Sequence, residues 1–187
     1  MSQRLEQVLS AIDAANAKDP RLDAGQPEAL LYGHRMSEEC MRLFPDAPET
    51  LQLAARGQHV ERWILKRAEY PEGRVGYLTW RKDLAAHHAK TVSGFMADAG
   101  YGDAARNEVE MMLRKEGIKR NELVQSLEDV ICFVFLKWYF APFSAKHPDD
   151  KVQRIVEKTA RKMSSQGRER ALSEFELPAE LAAAFAN

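Results

Sequence analysis

The sequence predicts an all-α protein, a single compact bundle of about seven helices spanning residues 1–187. Three observations carry that expectation. Apolar residues recur at spacings of three and four along most of the chain. Pro, Gly, Asp and Asn fall where helices would start or stop. No stretch alternates apolar and polar residues between hairpin turns, so no strand is expected. A length of 187 residues fits one domain. A hydrophobic fraction of 45% beside a charged fraction of 29% suits a globular chain with a real core.

The elements follow in order. Leu5, Val8, Leu9 and Ile12 share one helical face, and Asp19-Pro20 ends that helix. A second helix follows Pro27 and carries Ala29, Tyr32, Met36, Cys40 and Leu43 on its stripe until Pro45. A third opens at Asp46 to Glu49 and is expected to run through His59 to Trp63. A loop punctuated by Pro71, Gly73 and Gly76 comes next. The fourth helix is expected from about Tyr77 to Ala99, with Gly100 as its stop. Asp103 caps a fifth that ends at Gly117, and Asn121 caps a sixth that Pro142 closes. Asp149 or Asp150 starts a seventh, expected to end at Gly167, and a short Ala-rich helix closes the chain.

Composition narrows the function. The formal net charge is -1, which gives no general argument for nucleic acid or an anionic membrane. The charge is unevenly spread, however. Residues 1–50 hold five Lys/Arg and nine Asp/Glu, whereas 56–82 hold seven and three and 151–170 hold seven and two. Such basic clusters suit an anionic small ligand, and solvated helix faces look the same. The two cysteines, Cys40 and Cys132, form no metal-binding or disulfide pattern, and the N-terminus has no apolar leader. A cytoplasmic protein without a membrane span is therefore expected. Walker A, GxGxxG, GxSxG and HExxH motifs are missing from the sequence, which excludes the common nucleotide-fold and hydrolase templates.

Polar residues in apolar places mark the candidate site. His59 follows Leu51 and Ala55 on one helical face, beneath the cationic pair Arg56 and Arg62. His88 falls between Leu84 and Val92 on the apolar face of the fourth helix, while His87 is rotated about 100° away. Glu128 and Asp129 stand at the entrance of the most apolar helix, where buried carboxylates must be paired, solvated or metal-bound. Two imidazoles and a carboxylate form a ligand set for divalent transition metals. The competing reading makes each histidine a hydrogen-bonded core residue and the carboxylates partners of the helix dipole. His34 and His147 read as surface residues. Lys151, Arg154, Lys158 and Arg161 make a basic ridge along the seventh helix, a phosphate clamp or a solvated face. Arg81, Arg114, Lys115 and Lys119 could join it.

Segments Ala11–Asn16, Ala55–Trp63, Gly76–Arg81, Leu127–Val130 and Lys158–Ser164 resemble a family called domain of unknown function 4202. That likeness runs from about Leu5 to Leu172 and covers Gln58, His59, Arg62, Trp63, Tyr77, Trp80, Arg81, His88, Glu128, Asp129, Lys158 and Arg161. More distantly, the chain is similar to the HD superfamily of metal-dependent phosphohydrolases, which implies an HD-like bundle. The spacing of 29 residues from His59 to His88 and 41 from His88 to Asp129 is compatible with it. Ala89 follows His88 where that superfamily has Asp.

Two functions follow. The first is a hydrolase of a nucleotide or other small phosphate ester. His59, His88 and Asp129 would hold Mn, Fe, Zn, Co or Mg, Glu128 would be the catalytic base, and Arg62, Arg81, Lys158 and Arg161 would bind phosphate. The second is a non-catalytic helical module for an anionic metabolite, RNA or protein partner. Nucleic acid is the less expected partner, because the basic residues are not interleaved with exposed aromatics.

Overall fold

The computed structural model describes residues 2–186 and is all-α apart from one small hairpin. Contacts divide the chain into two units, Met1–Glu116 and Gly117–Asn187.

In the first unit, α1 (Gln3–Asn16) is capped by the Ser2 hydroxyl, which accepts from the Leu5 amide. Its Leu5, Val8 and Ile12 face is fully buried. Asn16 is also buried, because its amide serves two backbones: it donates to the Ala29 carbonyl and accepts from the Glu61 amide. This one side chain therefore ties the end of α1 to two later segments.

Strands β1 (Leu22–Asp23) and β2 (Gln26–Pro27) pair antiparallel across Ala24-Gly25, both at positive φ. The sequence reading expected no strand, since two-residue strands carry no alternation to detect. Arg35, 2.7 Å from Asp23, fastens the hairpin to α2 (Glu28–Leu43).

Helix α3 (Glu49–Gly57) stops six residues before the expected end at Trp63. Gly57 allows α4 (Gly73–Asp98) to come close: a Cβ there would lie 2.4 Å from a Val92 methyl. The chain then turns through residues 58–64. Helix α4 begins at Gly73 rather than Tyr77, because Gly76 admits the Pro71 carbonyl where a Cβ would sit 1.9 Å away. Helix α5 (Asp103–Arg114) packs on α3 and α4 and ends in Lys115 at φ 60.

In the second unit, the Asn121 side chain caps α6 (Glu122–Val134) by accepting from Val124. A π-turn at Phe135–Tyr139 leads into α7 (Phe140–Ser144). Pro142 was expected to close the helix, but it lies within α7, which continues directly from the π-turn. Helix α8 (Asp149–Lys162) packs on α6 and α7. It ends before Gly167, the expected stop, and Gly167 instead belongs to α9 (Ser165–Glu174). The final helix is α10 (Ala179–Ala182). Among the described residues no helix is long and apolar enough to cross a membrane.

Candidate functional site: a cationic cavity around two neutral histidines

The first unit holds a cavity of about 500 Å³. Its lining comes from three places: Gln58, His59 and Arg62 in the turn after α3; Arg81, Lys82, Leu84, Ala85, Ala86 and His88 on α4; and Leu113 to Glu116 at the end of α5. The turn after α3 presents Gln58, His59 and Arg62 to one space.

His88 is 4% exposed. Its Nδ1 lies 2.8 Å from the Val60 carbonyl oxygen. A carbonyl only accepts, so Nδ1 carries the proton and Nε2 keeps its lone pair in the neutral ring. Burial is the main cause that lowers the His88 pKa to about 3, and His87, Arg62 and Arg81 push it further down; the Val60 bond opposes them. The half-buried His59 stacks on Tyr32, with ring centroids 3.8 Å apart and planes 17° apart. Its pKa is pushed well below the usual imidazole value, first by burial and then by Arg62, His88, Arg81 and Lys115. Both rings are therefore neutral at pH 7, with centroids 6.2 Å apart.

Around them stand Arg62, Arg81, Lys82, Arg114 and Lys115, against Glu116 as the one lining carboxylate. Arg114 is paired with Glu110 at 2.7 Å. Arg62 lies over the Trp80 ring, 5.0 Å from its centroid, and the Trp80 indole donates to the Leu65 carbonyl. Among the described residues no carboxylate forms a salt bridge with Arg62 or Arg81. Burial first, then Arg81, lowers the Arg62 pKa from its ordinary value. Arg56, expected beside Arg62, is instead committed to Asp13 at 3.1 Å and to the Ser37 hydroxyl.

Other candidates lie in the second unit. Glu128, 2% exposed, pairs with the Lys162 ammonium at 3.2 Å. Asp129, 5% exposed, accepts from the Ser164 amide at 2.8 Å, the Ser164 hydroxyl at 2.5 Å and the Gln125 amide at 3.1 Å. Burial raises its pKa, and these three bonds work in the other direction. Ser164 is the N-cap of α9, and a Cβ on Gly167 would come within 2.9 Å of the Asp129 carboxyl carbon. Asp129 thus braces the start of α9. Lys158 and Arg161 are exposed on α8, and Arg161 lines a separate cavity of about 520 Å³ with Glu157, Arg168 and Glu180. Lys119 donates to the Met163 carbonyl.

The structure therefore gathers His59, His88, Arg62 and Arg81 in one cavity of the first unit, and sets Glu128, Asp129, Lys158 and Arg161 in the second. Among the described residues no group of three or more His, Cys, Asp or Glu side chains is gathered for a metal ion. His87, with a side chain 24% exposed and 3.3 Å from Glu61, is not among the cavity's lining residues, as the helical-face reading expects. Sequence reasoning missed the Ser164–Asp129 pairing; a Ser three residues ahead of Gly167 was the capping signal that could have found α9. No curated protein and no solved structure matches the chain. Residues 6–184 match a family model, and the chain belongs to the family described as domain of unknown function (DUF4202).

Proposed function

We propose that the cavity of the first unit binds a small phosphorylated ligand. One observation carries this reading: Arg62 and Arg81 face a cavity rich in cations, and among the described residues no carboxylate forms a salt bridge with either. Two half-buried guanidiniums in that state repel each other. A phosphoryl group offers the missing negative charge and oxygens that guanidinium recognises in bidentate geometry. The neutral imidazoles add no further positive charge.

Metal-assisted hydrolysis of such a ligand, as in the HD-like proteins, is the second reading. It is favoured by the His88 tautomer, since metal-bound imidazoles commonly donate their other N–H to a carbonyl. The residues of the first unit alone do not fit a divalent ion: two imidazoles ringed by cations are a poor shell for it. Asp129 spends its oxygens on Ser164 and Gln125.

Titration calorimetry of the full chain with inorganic phosphate tests the first reading. Binding should weaken at least tenfold in both Arg62→Ala and Arg81→Ala, about 1.4 kcal/mol or more. Unchanged affinity in both variants would refute it. The second reading requires stoichiometric Mn, Fe, Zn, Co or Mg after reconstitution, lost in His59→Ala and His88→Ala. It fails if the wild type takes up none.

A further inference from the structure

The cavity presents more than charge. The Nε2 atom of His88 and the Oε1 atom of Gln58 are both buried, and neither has a hydrogen-bond partner among the described residues. His88 is 4% exposed and Gln58 6% exposed, and both line the cavity. The Val60 carbonyl occupies the other ring nitrogen of His88, so Nε2 is the ring atom left for a ligand. Each of these atoms is an acceptor. Buried polar atoms in folded proteins are nearly always satisfied, so two orphaned acceptors in one cavity point to donors supplied from outside.

We propose that the ligand is a phosphate monoester whose alcohol portion carries hydroxyl or amino donors, and that His88 and Gln58 select it by accepting from those donors. This rests on the phosphate-binding reading above and adds a second half to the ligand. The cations Arg62 and Arg81 hold the phosphoryl end, and His88 with Gln58 read the polyol or amine end. A site built around hydrogen-bonding acceptors discriminates strongly against an analogue lacking the donors, because the acceptors are then buried unpaired. Neutrality is what fits His88 for this task, since a protonated imidazole would be a donor at both nitrogens. Its folded pKa near 3 keeps it an acceptor throughout the physiological range.

Glycerol 3-phosphate and n-propyl phosphate form the deciding pair, with the same phosphoryl charge and carbon skeleton and a difference of two hydroxyls. Calorimetry on the full chain should find glycerol 3-phosphate bound at least tenfold more tightly. In Gln58→Met and in His88→Phe that ratio should fall toward one, while propyl phosphate still binds and so reports an intact fold and phosphate site. Gln58→Met, near in shape to the native side chain, keeps the test alive if His88→Phe does not fold. Equal affinity of the wild type for the two esters overturns the donor requirement, as does an undiminished ratio in Gln58→Met. If neither ester binds, or if both bind as well to Arg81→Ala as to wild type, the phosphate reading itself falls.

Discussion

Acidification should destabilise this protein through His88, by about 2 kcal/mol between pH 7.5 and pH 5. The imidazole has an ordinary pKa of 6.5 and a folded pKa of about 3. The folded value is the lower one, so the unfolded chain binds the proton more readily. Stability is full above pH 6.5 and is lost as pH falls from 6.5 toward 3. At pH 5 the unfolded imidazole is about thirtyfold more protonated than neutral while the folded ring stays neutral, which removes about 2 kcal/mol. That is a large share of the stability of a typical domain, roughly 5–15 kcal/mol. The measurement is urea unfolding at pH 7.5 and pH 5, in wild type and in His88→Asn. Asparagine retains a donor to offer the Val60 carbonyl and has no proton to gain. Its own cost at pH 7.5 drops out, because only the change between the two pH values is compared. The lowered pKa of His59 acts in the same sense in both proteins, because burial, its largest cause, is common to both. Wild type should lose about 2 kcal/mol more than the variant over this interval. Equal losses would refute the assignment of a neutral, buried His88.

Three further outcomes are expected. Gly57→Ala should destabilise the chain by about 1–3 kcal/mol, because the added methyl would lie 2.4 Å from Val92; thermal unfolding measures it. Gly167→Ala and Asp129→Ala should each cost about 1–3 kcal/mol, one by displacing the Asp129 carboxylate and the other by orphaning the Ser164 amide. Their double variant should lose clearly less than the two losses added, since both break the same brace; strict additivity in denaturant unfolding would contradict that brace. Arg81→Gln should leave stability unchanged or raise it by a few tenths of a kcal/mol, since it relieves repulsion with Arg62, while phosphate affinity measured by calorimetry falls at least tenfold.

The all-helical fold was legible in the sequence because apolar residues recur at helical spacing along most of the chain, although Asp103, expected to cap α5, follows a Gly102 N-cap instead. The choice of His88 over His87 was legible for the same reason: α4 is continuous there, and helical geometry alone decides which ring faces inward. His59 is a different case. It was read as inward on a helix that in fact ends at Gly57, and it reaches the cavity from a turn, held by its stack on Tyr32. No local pattern contains that outcome, because it depends on how closely α4 approaches Gly57. Asp129 shows the other limit. Its burial was legible from the apolar helix around it, but its partner Ser164 lies 35 residues away, and only packing brings them together. The hairpin and the helix through Pro142 escaped notice because strands of two residues and a π-turn leave almost no periodic signal.

Arg62 and Arg81 differ from four other arginines of the first unit. Arg21 is paired with Asp19, Arg35 with Asp23, Arg42 with Glu39 and Arg56 with Asp13. Among the described residues no carboxylate forms such a pair with Arg62 or Arg81, which stand beside two histidines kept neutral. Burial alone does not explain the difference, since Arg56 is also largely buried and has its carboxylate. An external anion would supply what the chain withholds, and it would then stabilise the folded state by mass action, by about 2.7 kcal/mol at a hundredfold excess over its dissociation constant. The melting temperature of wild type should therefore rise with added phosphate. That of the Arg62→Gln/Arg81→Gln double variant should not, at equal ionic strength. A rise of the same size in both proteins would mean that phosphate acts through the bulk solvent and that the two arginines hold no ligand.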